Sequence, residues 1–230
     1  MDIQRIVVSV LPILIAITFH EVAHGYVANK LGDPTAKMMG RLTLNPIAHI
    51  DLIGTILIPL VLFFSTNGQF VFGYAKPVPI NPFNFKNPKK DMAISAAAGP
   101  ITNIILAALC WFIYSIIPGT AGTENSSFAV LTPIKQMWEA GFGINLVLAV
   151  INLVPIPPLD GGRILVGILP HEQAVSYSRI EPFVFIIIMV LFISGIAQHL
   201  LSPLITILGF FIQLFVGLLI NLFLMLLSMF

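Results

Sequence analysis

Apolar residues run along this chain in long blocks, broken by short polar stretches. Ile6 to Leu31, Met92 to Ile117 and Trp138 to Val154 each predict a membrane-crossing helix, since about 20 apolar residues span the hydrocarbon core. Phe183 to Ala197 and Leu200 to Phe230 follow, separated by Gln198 and His199. Leu52 to Phe64 is too short for a comfortable crossing and predicts a re-entrant piece. Around it, period-two alternation in Arg41-Leu42-Thr43-Leu44 and in Phe70-Val71-Phe72 predicts short strands. Pro77, Pro79 and Pro82 confine any strand there to an edge position, because proline cannot donate to a ladder. The expected fold is an all-α polytopic membrane protein of about five transmembrane helices, with a re-entrant segment carrying short membrane-associated β-strands.

Composition agrees. Hydrophobic residues make up 57% of the 230 and charged residues only 9%, far below the roughly 25% of soluble domains. The net charge of +1 points to no nucleic-acid partner. The single cysteine, Cys110, allows no internal disulfide. The first apolar run lacks a basic start and a small-residue cleavage site, so it is not read as a cleavable signal peptide. A single membrane domain over residues 1–230 is expected, with a catalytic core at about 6–167 and extra C-terminal transmembrane helices at about 181–230.

Chemistry enters near the end of the first run, at His20-Glu21-Val22-Ala23-His24. Residues four apart share a helix face, so both imidazoles can address one metal ion. Glu21 beside them can take a proton from a water on that metal. Three such groups in a membrane span cost several kcal/mol unless they coordinate something, which suggests a zinc hydrolase working in the bilayer. Catalytic zinc commonly has three protein ligands and one open position. The best candidate for the third is Asp160, in the break Pro155-Ile156-Pro157-Pro158-Leu159-Asp160-Gly161-Gly162. The competing role for Asp160 is to cap the next turn or pair with Arg163.

If every apolar run crossed, His24 and Asp160 would lie near opposite membrane faces. One intervening run must therefore fail to cross, and the shortest is Leu52 to Phe64. Lys30, Lys37, Arg41, Lys76, Lys86, Lys89, Lys90, Arg163 and Arg179 then share one side, and Arg5 and Lys135 the other. Nine against two satisfies the positive-inside rule better than the seven against four of the all-crossing topology. The metal site is expected toward the cytoplasm.

HEVAH in a membrane helix, Gly99-Pro100-Ile101-Thr102-Asn103 in the next long helix, and Asn152-Leu153-Val154-Pro155-Ile156-Pro157-Pro158-Leu159-Asp160-Gly161-Gly162 occur in that order. With these motifs the chain resembles the site-2 protease family of intramembrane zinc metalloproteases, in its compact prokaryotic form without PDZ or CBS domains. The resemblance covers roughly Ile6 to Gly167. It implies one Zn2+ held by His20, His24 and Asp160, with Glu21 as general base. It implies that Asn152 assists at the scissile carbonyl or holds substrate, while Asn103 either contacts substrate or bonds between helices. The expected partner is a transmembrane protein, added as an extended strand to an exposed edge. The expected location is a prokaryotic inner membrane. A metal-ion transporter and an inactive membrane scaffold are the alternatives; the clustering of ionisable groups at one point argues against the first, and the intact HEVAH against the second.

Overall fold

The computed structural model describes residues 3–65, 73–118, 131–180, 184, 190–191 and 194–228. Long apolar helices form its frame: α1 (Ile3–Lys30), α4 (Pro88–Ile116), α5 (Leu131–Leu153) and α8 (Ile196–Leu227). Each contains a stretch long and apolar enough to cross a membrane. Shorter helices lie between them: α2 (Thr35–Met38), α3 (Ile58–Ser65), α6 (Asp160–Ile168) and α7 (His171–Ser178).

Helices α4, α5 and α8 meet around Ala107, Cys110, Phe142, Leu146, Ile212 and Val216, with the Trp111 and Phe142 rings 5.0 Å apart. Lipid tails are as apolar as leucine, so close packing rather than hydrophobic exclusion holds such helices together. Helix α8 buries only Ala197, Gly209, Ile212 and Val216, and turns its phenylalanines and most of its leucines outward. In water so broad an apolar surface would aggregate; against acyl chains it is solvated.

The short apolar piece begins at Asp51, whose carboxylate accepts from the Ile53 and Gly54 N–H groups. A π-helical stretch (Leu52–Leu57) leads into α3. At 1.5 Å per residue the two together reach roughly 21 Å, short of a roughly 30 Å hydrocarbon core. The chain is back beside its starting point at Tyr74, whose N–H donates to Gly54 O at 3.0 Å. Thr55 Oγ1 donates to Tyr74 O at 2.8 Å, and Lys76 N–H to His49 O at 3.0 Å.

No strand occurs among the described residues. Arg41 to Leu44 is irregular, and 73–80 runs extended without a ladder. Pro77 and Pro79 remove two of its donors, and those of Tyr74, Lys76 and Val78 go to separate acceptors. The Phe70-Val71-Phe72 alternation and most of the Phe183 to Ala197 run lie outside the described residues. Gln198 and His199, expected to separate a pair of apolar runs, sit inside the first turn of α8 after a left-handed Gly195 (φ 75°). His171 and Glu172 open the helix α7.

Candidate metal centre

Two stripes of residues at four-residue spacing face each other where α1 packs on α4. On α1 they are Ala16, His20 and His24; on α4 they are Ser95, Gly99 and Asn103, and the helices run in opposite directions. Asn103 Nδ2 donates to Ala16 O at 3.3 Å, and Ser95 Oγ donates to His24 O at 3.0 Å. Gly99 lies between. A Cβ there would stand 2.4 Å from His24 Nε2 and 2.6 Å from His20 Cε1, so only glycine leaves room for the two rings.

Both imidazoles are oriented through Nδ1. His24 Nδ1 lies 2.8 Å from Ser95 O, which can only accept, so the proton belongs on that nitrogen. His20 Nδ1 lies 2.6 Å from Asn103 Oδ1. The Asn103 amide is set in turn: its Nδ2 donates to Asn145 Oδ1 at 2.8 Å, and Asn145 Nδ2 donates to Gly141 O at 2.8 Å. These assignments follow from the hydrogen-bond network. With the protons on Nδ1, both Nε2 lone pairs face the same point, 3.0 Å apart.

The third donor comes from the helix break after α5. Cβ atoms at Gly161 and Gly162 would come within 2.3 and 2.5 Å of backbone atoms of Leu153 and Pro157, so these glycines let α6 fold tightly against the break. That places Asp160, its first residue, with Oδ2 at 3.2 Å from His20 Nε2 and 3.1 Å from His24 Nε2. His20, His24 and Asp160 are all buried, and Asp160 Oδ2 has no hydrogen-bond donor. Three converging lone pairs without a donor repel one another unless a cation lies among them. Two imidazoles and a carboxylate are a zinc donor set, and ligands of one tetrahedral zinc sit about 3.3 Å apart. The residues fit the metal.

Asp160 is not paired with Arg163; it joins the histidines instead. Glu21 lines the same cavity of about 140 Å³, with Asn152, Pro77, Val78, Ile80 and Arg163. Its Oε2 accepts from Val78 N–H at 2.8 Å. Asn152 reaches the cavity from the end of α5, its Nδ2 donating to Leu148 O at 3.0 Å. Asn103 lies behind His20, fully buried, and is not on the cavity wall. Larger cavities, among them ones of about 610, 550 and 280 Å³, lie outside this cluster. The H-x-D pair of His49 and Asp51 is structural here: His49 Nε2 is 2.9 Å from Thr43 O, and Asp51 caps the π-helical stretch.

Sequence reading missed Ser95, which orients His24 through a backbone carbonyl, and Asn145, whose spacing to Asn103 follows no local pattern.

The sequence profile described as "Peptidase family M50" matches residues 8–195. YwhC of Bacillus subtilis, which carries the name of a zinc metalloprotease, is 38% identical over 194 residues, covering 84% of each chain. Rip2 of Mycobacterium tuberculosis, also so named, is 26% identical over 185 residues, covering 79% of this chain and 64% of its own. MJ0611 of Methanocaldococcus jannaschii, again so named, is 33% identical over 101 residues, covering 42% of this chain and 46% of its own. No solved structure matches the chain. The profile spans most of the length, from the helix that carries the two histidines to beyond the aspartate that joins them, and the chain therefore belongs to peptidase family M50, the family of the site-2 proteases.

Proposed function

We propose that this membrane zinc metalloprotease hydrolyses peptide bonds within or beside the transmembrane segments of other membrane proteins, and does so toward the cytoplasmic side of a prokaryotic inner membrane. The observation that carries the reading is the placement of His20, Glu21 and His24 inside a helix apolar enough to span, with Asp160 brought to them by a helix break.

His20, His24 and Asp160 would hold Zn2+, which when bound would polarise the scissile carbonyl and make water nucleophilic near neutral pH. Glu21 accepts the proton of the attacking water and returns it to the leaving amine. Its Oε2 accepts from the Val78 N–H, which leaves Oε1 to take that proton. Asn152, on the cavity wall, supplies a neutral donor toward the carbonyl oxygen as charge develops there, worth a few kcal/mol when pre-organised. A substrate helix hides its carbonyls in its own hydrogen bonds and must first be extended. The extended stretch 73–80, already seated against Glu21, is the edge along which an extended substrate would lie.

The return of the chain at Tyr74 to Gly54 supports a non-crossing Leu52–Ser65 piece, and with it the topology that gathers nine of the eleven Lys and Arg on the side of the metal site.

The test is cleavage of a tagged single-span protein by purified enzyme in detergent. Glu21→Gln is expected to bind zinc yet cleave nothing, and chelation is expected to stop the wild type. Cleavage by Glu21→Gln at the wild-type rate would overturn the assignment.

A further inference from the structure

Beside the catalytic cavity lies a larger one, of about 610 Å³, which the mechanism above does not use. Its walls come from the start of α4, the break before α6, and one face of α7. Among the described residues three cations line it, Lys89, Arg163 and Arg179, together with His171, and no Asp or Glu. In a chain with only 11 Lys and Arg, that is a marked concentration. Among the described residues, Arg163 and Arg179 make no ion pair and no side-chain hydrogen bond. Lys89 spends one donor on Leu169 O, joining α4 to the end of α6. Met92, Val166 and Val175 supply apolar wall between the charges.

Two residues belong to both cavities. Pro158 and Arg163 line the catalytic cavity and the basic one alike, so the two share a wall. A peptide leaving the catalytic centre across Pro158 meets Arg163 first and then the basic cavity. Guanidinium groups exposed at a cavity and unpaired among the described residues favour an anion with paired oxygens, which a carboxylate provides.

We propose that this cavity is a specificity subsite for an acidic side chain of the substrate, an Asp or Glu placed a few residues from the scissile bond. The proposal rests on the proteolytic reading above. The shared wall favours substrate over a lipid phosphate, because only substrate must reach both cavities at once. Arg163 at the junction and Arg179 across the cavity are the discriminating residues.

The test uses full-length enzyme in detergent and single-span substrates carrying Glu, Gln or Lys, one position at a time, on either side of the cleavage site. At one position Glu is expected to raise kcat/KM about tenfold over Gln, through KM, and Lys to lower it, as a charged hydrogen bond gained or lost requires. Arg179→Glu is expected to invert the order and favour the Lys substrate, a rescue that a misfolded variant could not show. If Arg179→Glu is inactive on every substrate, Arg179→Gln decides: a flattened preference supports the subsite, and an unchanged one overturns it. Equal rates for Glu, Gln and Lys at every position overturn it too, with proteolysis intact. So does a uniform stimulation of all substrates by phosphatidylglycerol that Arg179→Gln removes, which would give the cavity to a lipid headgroup. Failure of the wild type to cut any substrate would instead sink the proteolytic reading, and this proposal with it.

Discussion

Asn103 Oδ1 stands 2.6 Å from His20 Nδ1, on the side of the ring away from the metal centre. The contact fixes which nitrogen carries the proton and which offers its lone pair. Asn145 holds the Asn103 amide in the required sense, and Gly141 O holds Asn145. Outer partners of this kind are worth roughly 10- to 100-fold in metal affinity. Asn103→Ala is therefore expected to weaken zinc binding by roughly that factor. Asn145→Ala should weaken it less, since Asn103 Nδ2 keeps Ala16 O. Competition with a chelator of known affinity measures both; unchanged affinity in Asn103→Ala would remove the ring-orienting role.

Gly99 gives a sharper steric test. A methyl group there would sit 2.4 Å from His24 Nε2, the atom that faces Asp160 Oδ2 and His20 Nε2. Overpacking a buried site costs about 1–3 kcal/mol, and here the strain falls on the ligands. Gly99→Ala is expected to yield a helical, detergent-soluble protein depleted of zinc. Elemental analysis of purified variant and wild type decides it, and full zinc occupancy in the variant would show that α4 can retreat.

The centre was legible in sequence because metal chemistry accepts few residue types. His20 and His24 are fixed by helix periodicity, and Asp160 is the carboxylate at a break that prolines and glycines announce. Ser95 was not legible, because any residue offers a carbonyl. Val78 was not legible either, because what it contributes is an N–H. Alternation in Arg41 to Leu44 suggested a short strand, yet that segment is irregular, and Pro77 and Pro79 remove donors that a ladder beyond it would need. His171 to Ser178 is a polar stretch. Its helical pattern is nonetheless present, with Ala174 buried and His171, Val175 and Ser178 on the cavity side. Gln198 and His199 looked like a boundary, but a polar pair in the first turn of a helix needs no break.

Arg41 anchors the extended stretch beside Glu21. Its guanidinium donates to Lys76 O at 2.9 Å and to Pro77 O at 3.4 Å, immediately before Val78. With that anchor removed, the stretch is held to α1 chiefly by the Val78 N–H on Glu21. Arg41→Ala is expected to speed amide hydrogen exchange at Val78 and Lys76 while leaving the α1 and α4 amides protected. Equal exchange in variant and wild type would show that the stretch is held by its packing alone.

At the other end of the same stretch, buried Asp33 ties the Thr35 turn to the 81–84 turn, with no ion pair among the described residues. Its carboxylate accepts from Thr35 N at 3.1 Å, Thr35 Oγ1 at 2.5 Å, Asn81 N at 2.7 Å and Asn84 Nδ2 at 2.7 Å. Burial alone would push the carboxyl up. The side-chain bonds from Asn84 and Thr35, helped by the Asn81 and Thr35 backbone N–H groups, more than reverse it and hold the acid below its ordinary value. A depressed carboxyl contributes stability that is present above the unfolded value of about 3.9 and fades as pH falls through the folded one. Asp33→Asn keeps the size, loses the charge and turns a donor toward other donors, which should cost about 1–3 kcal/mol at neutral pH. Thermal melts in detergent are expected to show that gap at about pH 7 and to show it narrowing below about pH 3.9, where the unfolded chain takes up the Asp33 proton before the folded protein does. A gap that stays constant into acid would mean that side-chain shape, not the carboxylate charge, holds the 81–84 turn to the end of α1.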